Sequence, residues 1–101
     1  MNRAECLDTA NTIVHKDRQT SYGTPENNFG VIADMWTAYA GYDFKPHDVA
    51  VMMSLLKIAR LKTSPDKPDN WVDLAGYASC GCELATKNDF KAGWDKVERT
   101  C

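Results

Sequence analysis

No run of about 18 apolar residues occurs anywhere in this chain, and the amino terminus has neither a basic n-region nor an apolar h-region. Membrane insertion and secretion are therefore not expected, and a cytoplasmic location is. Charge of one sign is equally scarce: 12 Lys and Arg stand against 14 Asp and Glu, a net charge of −2 with the signs interspersed. That argues against generic binding to nucleic acid or to an anionic membrane. Cys6, Cys80, Cys82 and Cys101 form neither a C-x-x-C pair nor a metal-ligand spacing, so reduced thiols are expected. The two histidines, His15 and His47, have no Cys, Asp or His partner at ligand spacing, so both read as residues of helix ends and no metal site is expected. No segment alternates apolar and polar residues for long, and internal repeats and low-complexity tracts are missing, which leaves little room for strands or solenoids.

What is present fits one ordinary globular unit. With 101 residues, 44% of them hydrophobic and 26% charged, the chain has material for one core and one domain, residues 1–101. Asn2 with Glu5 three residues on reads as a capping box opening a helix over about residues 3–16, with Leu7, Ala10, Ile13 and Val14 inward. Thr24-Pro25 opens a second helix, striped by Phe29, Ile32, Ala33, Trp36 and Ala40 and closed at Gly41. Pro46 and Asp48 open a third, reaching about residue 62, with Val49, Met52, Met53, Leu56 and Ala59 facing a core. After a short turn, Pro68 and Asp69 open a fourth, with Trp71, Leu74, Ala75, Ala78 and Cys82 on one side. Gly76 and Gly81 weaken that helix by about 1 kcal/mol each relative to alanine, which points to close packing or a close ligand. Residues 88–101 space Phe90, Trp94, Val97 and Cys101 as a short terminal helix. The expected fold is all-α, an antiparallel bundle of four helices plus a short C-terminal helix.

Residues equally far from the turn of an antiparallel hairpin lie side by side. Lys57 is thus expected near Asp73, Arg60 near Asn70 and Met53 near Tyr77. Lys57, Arg60 and Asp73 fall in or beside apolar stripes, where a charge is costly unless paired or bound. Two readings follow. In one, Lys57 and Asp73 form an internal ion pair that fixes the hairpin register. In the other, Lys57 and Arg60 hold a phosphate while Asp73, Asn70 and Tyr77 orient a sugar or base, with Arg18 and Tyr22 of the preceding loop adding a guanidinium and a stacking ring. The Met52-Met53 pair reads as core filling, and Trp36, Trp71 and Trp94 as core or interface anchors.

The series Arg18-x-x-x-Tyr22-Gly23-x-Pro25-Glu26-x-Asn28-Phe29, then Asp48-Val49-Ala50 through Leu56-Lys57-Ile58-Ala59-Arg60, then Asp69-Asn70-Trp71-Val72-Asp73-Leu74-Ala75-Gly76-Tyr77-Ala78, resembles a family of small uncharacterised phage and prophage proteins over about residues 15–85. More distantly, the hairpin is similar to the all-α nucleotide pyrophosphohydrolases of the MazG type, whose paired helices carry E-x-x-E and E-x-x-D metal ligands. Asp73 stands where the last aspartate of that pattern falls, but Asn70, Ser54 and Lys57 replace its other acids. A magnesium ion needs oxygen ligands, and an ammonium reverses the local charge. The resemblance so altered implies a phage-type protein, in the cytoplasm of an infected bacterium, that binds a small phosphorylated, nucleotide-like ligand without turning it over, for example to sequester a host defence messenger. A MazG-like magnesium-dependent hydrolase and a purely structural or partner-binding helical module are the alternatives. No cofactor is expected unless the hydrolase reading holds, when magnesium is needed. Self-association is expected, because small helical domains often complete their cores at symmetric interfaces.

Overall fold

The computed structural model describes residues 1–17 and 23–86, and every element among them is helical. Arg18, Tyr22 and the expected terminal helix with Phe90, Trp94 and Val97 lie outside the described residues. Helix α1 spans Arg3–Thr12 and runs on into a π-helical turn, Ile13–Asp17. Helix α2 spans Pro25–Ala40, α3 Pro46–Leu61 and α4 Pro68–Thr86.

The starts and stops follow from local chemistry. Asn2 Oδ1 accepts the Glu5 N–H at 2.8 Å while the Asn2 N–H donates to Glu5 Oε1 at 3.0 Å, closing the capping box of α1. Thr24 Oγ1 accepts from Asn27 N–H at the head of α2, and Gly41 ends that helix at φ 73°, in the left-handed region that costs glycine little. Asp48 takes the Lys45 N–H at 2.8 Å and so caps α3. The segment between α2 and α3 is pinned where the Phe44 N–H donates to Thr37 Oγ1 at 2.9 Å and the Phe44 ring meets Trp36 edge-on at 5.7 Å. Beside it, the Asp43 carboxylate hydrogen-bonds Lys45 Nζ at 2.8 Å and holds that exposed ammonium above its ordinary pKa.

Helices α3 and α4 form the main pair, α2 lies against α3, and α1 lies against α4. Phe29, Ala33, Val49, Ala50 and Leu84 make the buried cluster, flanked by Ile32, Trp36, Phe44, Met53, Tyr77 and Cys80. Small residues set the spacing. A Cβ on Gly81 would lie 3.1 Å from Ala50 Cβ, and one on Gly76 would lie 3.1 Å from Val14 Cγ1. The glycines of α4 thus serve close helix contact.

Several expected faces are corrected. On α4 the buried residues are Asn70, Val72, Gly76 and Leu84, whereas Ala78 and Cys82 are exposed and Trp71 is 47% exposed, its indole N–H bonded to Pro65 O at 2.8 Å. On α3 the inward residues are Val49, Ala50, Met53 and Lys57, whereas Met52, Leu56 and Ala59 face outward. Leu7 of α1 and Ala40 of α2 are exposed as well. The reason is common to α3 and α4: both carry apolar residues around most of their circumference, so periodicity cannot choose the face. Close packing of small residues chooses it, where Ala50 meets Gly81.

Candidate functional site

Lys57 Nζ lies 2.8 Å from Asp73 Oδ2, with the side chains 11% and 19% exposed. The hairpin register therefore brings these two together as their equal distance from the turn requires. They are closed on one another, leaving no opening for a phosphate between them. Arg60 is exposed and, among the described residues, takes part in no ion pair. Asn70 is buried for a local purpose: its Nδ2 donates to Ser64 O at 3.4 Å and ties the turn to the start of α4. Lys57, Arg60 and Asn70 thus do not converge on one open space.

An open space does exist on the other side of Asp73. A cleft of about 50 Å³ is bounded by Ala10, Ile13 and Val14 from α1 and its π-turn, by Gly23, Pro25, Asn28 and Phe29 around the head of α2, and by Val72, Asp73, Gly76, Tyr77 and Cys80 from α4. Its walls are mainly apolar, and Asn28, Asp73 and Tyr77 supply the polar side chains. The Tyr77 and Phe29 rings lie 6.3 Å apart at 36°, one wall of the space. A second groove, of about 340 Å³, shares Val14, Pro25 and Cys80 with this cleft and adds His15, Thr24, Ser79 and Glu83.

The two voids differ in what they admit. The first suits a few waters or the edge of one planar ring, and the groove beside it reaches the lower range of small-molecule sites. The head of α2, which carries the positive end of the helix dipole, borders both. Among the described residues no three His, Cys, Asp or Glu side chains come together to hold a metal ion. Nor is any helix among them long and apolar enough to cross a membrane.

Sequence reasoning singled out Asp73 and Tyr77, which the fold does place at one cleft. It did not give Asn28 a role. The available signal was its position one residue before Phe29, a carboxamide on the edge of an apolar stripe three residues after the Pro25 helix start.

Comparison with known proteins agrees with the phage resemblance. The chain is 48% identical over 73 residues to the Gene 55 protein of Mycobacterium phage L5, covering 71% of this chain and 47% of that protein. It is 39% identical over 74 residues to the Gene 55 protein of Mycobacterium phage D29, covering 73% of this chain and 49% of that one. The chain thus spans about half the length of these curated relatives. No solved structure matches it. Neither relative's name carries an activity, and nothing in the comparisons supports the likeness to MazG-type hydrolases. Residues 5–85 match the domain of unknown function DUF6378, and the chain belongs to that family.

Proposed function

We propose that this phage-type domain binds a small ligand built on a planar heterocycle, of the nucleobase or nucleoside kind, in the cleft between α1, α2 and α4, without turning it over. The observation that carries this reading is the convergence of the Asp73 carboxylate, the Asn28 carboxamide and the Tyr77 ring on a cleft whose other walls are apolar. A carboxylate and a carboxamide lining one cleft suit a ring edge that presents both donors and acceptors. The aromatic wall supplies the face contact. Lys57 has a positioning role: its ammonium holds one Asp73 oxygen and fixes the carboxylate at the cleft. Sugar and phosphate groups would extend into the groove at His15, Thr24, Ser79 and Glu83, beside the head of α2. Sequestration of a nucleotide-derived signal is a role that such binding without turnover would serve.

The test is calorimetric titration of the full chain with nucleosides, nucleoside mono- and triphosphates and cyclic nucleotides, with and without magnesium. The reading expects saturable binding by at least one of these, lost in Asn28→Leu, which removes the carboxamide at nearly unchanged side-chain shape while leaving Asp73 paired. Binding that survives Asn28→Leu but is lost in Arg60→Ala would return the site to the outer side of α3. No heat with any nucleoside or nucleotide would overturn the proposal, and magnesium-dependent pyrophosphate release would replace it with the hydrolase reading.

A further inference from the structure

Helix α3 is apolar on both sides. Val49, Ala50 and Met53 face the core, while Val51, Met52, Leu55 and Ile58 are 55%, 43%, 57% and 51% exposed. A helix apolar all round is normally covered all round. At 3.6 residues per turn, Asp48, Val51, Met52, Leu55, Ile58, Ala59 and Lys62 all fall within about 60° of Leu55 on the helix surface. Within that set Asp48, Val51, Leu55, Ile58 and Lys62 alternate in steps of three and four, the seam of paired antiparallel helices.

We propose that this stripe pairs with the same stripe of a second copy of the chain, α3 against α3 around a two-fold axis at Leu55. The stripe is complementary to itself when run antiparallel. With Leu55 facing Leu55, Met52 faces Ile58 of the second copy, Val51 faces Ala59, and Asp48 faces Lys62. The negative start of the stripe therefore meets its positive end twice, and the two helix dipoles oppose. Asp48 is available for this: its carboxylate caps the Lys45 N–H at 2.8 Å and stands 3.6 Å from His47 Nε2, yet its side chain remains 34% exposed. Lys62 is exposed and takes part in no ion pair among the described residues. Ala59 is small enough to let the backbones approach. The four large apolar side chains expose roughly 400 Å², within the range of functional patches and about half of the ~800 Å² per partner of a standard interface. The flanking polar residues and Leu56 supply the remainder. This inference does not depend on the cleft, which lies on the far side of α4.

The experiment is sedimentation equilibrium on the full chain, with circular dichroism to verify that each variant keeps its helices. The expected mass is twice the 11.3 kDa of the chain. Leu55→Glu is expected to give a folded monomer, whereas Met35→Glu, on the exposed side of α2, leaves the mass doubled. Lys62→Glu is expected to raise the dissociation constant at least tenfold, and Lys62→Glu with Asp48→Lys to recover most of that loss. A monomeric wild-type chain overturns the proposal, and so does a dimer that Leu55→Glu leaves intact or that Met35→Glu dissociates.

Discussion

Lys57 and Asp73 share the inner side of the α3 and α4 hairpin, and neither is tolerated there alone. With the pair formed, each charge is offset at 2.8 Å. With one partner removed, the other is left in a site that little water reaches. A fully buried pair broken this way costs about 3–5 kcal/mol, and the partial exposure of Asp73 toward the cleft reduces that to roughly 2–3 kcal/mol for Lys57→Met. The double variant Lys57→Met with Asp73→Leu should recover at least half of the loss, because no lone charge remains. Urea unfolding of the two single variants and the double variant measures the coupling. If Lys57→Met alone were neutral, the pair would not be holding Asp73 in place. The facing of these two residues was legible in the sequence, because a short hairpin turns distance along the chain into distance in space. The cleft was not, because Asn28 and Asp73 belong to helices that are not consecutive in the chain, and no hairpin relation converts their separation in sequence into a distance in space.

At the scale of the helix, boundaries were legible and faces were not. Capping residues and prolines act on their own turn, so Asn2 with Glu5, Thr24-Pro25, Pro46 and Pro68 mark their helix starts without tertiary help. Which side of α3 or α4 turns inward depends on the partner, and the decisive residues are the smallest. Three helical glycines separate the effects. At Gly30 a Cβ would meet nothing within 4 Å, so Gly30→Ala should stabilise by about 0.5–1 kcal/mol through helix propensity alone. At Gly81 the Cβ would meet Ala50 Cβ at 3.1 Å, an atom fixed to the α3 backbone, so the helices must part. Gly81→Ala should therefore destabilise by about 1–2 kcal/mol despite the same propensity gain. Gly76→Ala meets the rotatable Val14 Cγ1 at the same 3.1 Å and should fall between the two. Thermal unfolding of the three variants gives the order directly, and equal stabilisation by all three would mean that α4 is not closely packed.

For the whole molecule the balance of apolar surface is the governing fact. Among the described residues the buried hydrophobic set is Ala10, Phe29, Ala33, Val49, Ala50, Val72 and Leu84, three of them alanines. Larger side chains remain outside: Leu7, Val31, Met35, Tyr39, Val51, Leu55 and Ile58 are each more than half exposed. A core so thin supplies limited stability by itself, since burial contributes about 25 cal/mol per Å² and a small domain has little area to spare. If the α3 stripe is covered by a second copy, folding and association are linked, and mass action makes stability depend on chain concentration. The sign is fixed, because unfolding releases two chains from one dimer and higher concentration opposes it. Each tenfold increase adds about 1.4 kcal/mol per dimer, which for some 200 residues raises Tm by about 3 °C. Calorimetric scans over a hundredfold range of the wild-type chain should show that rise, and Leu55→Glu should show a lower Tm that no longer moves with concentration. A wild-type Tm independent of concentration would mean that the thin core is sufficient alone and that the exposed face of α3 contributes nothing to folding.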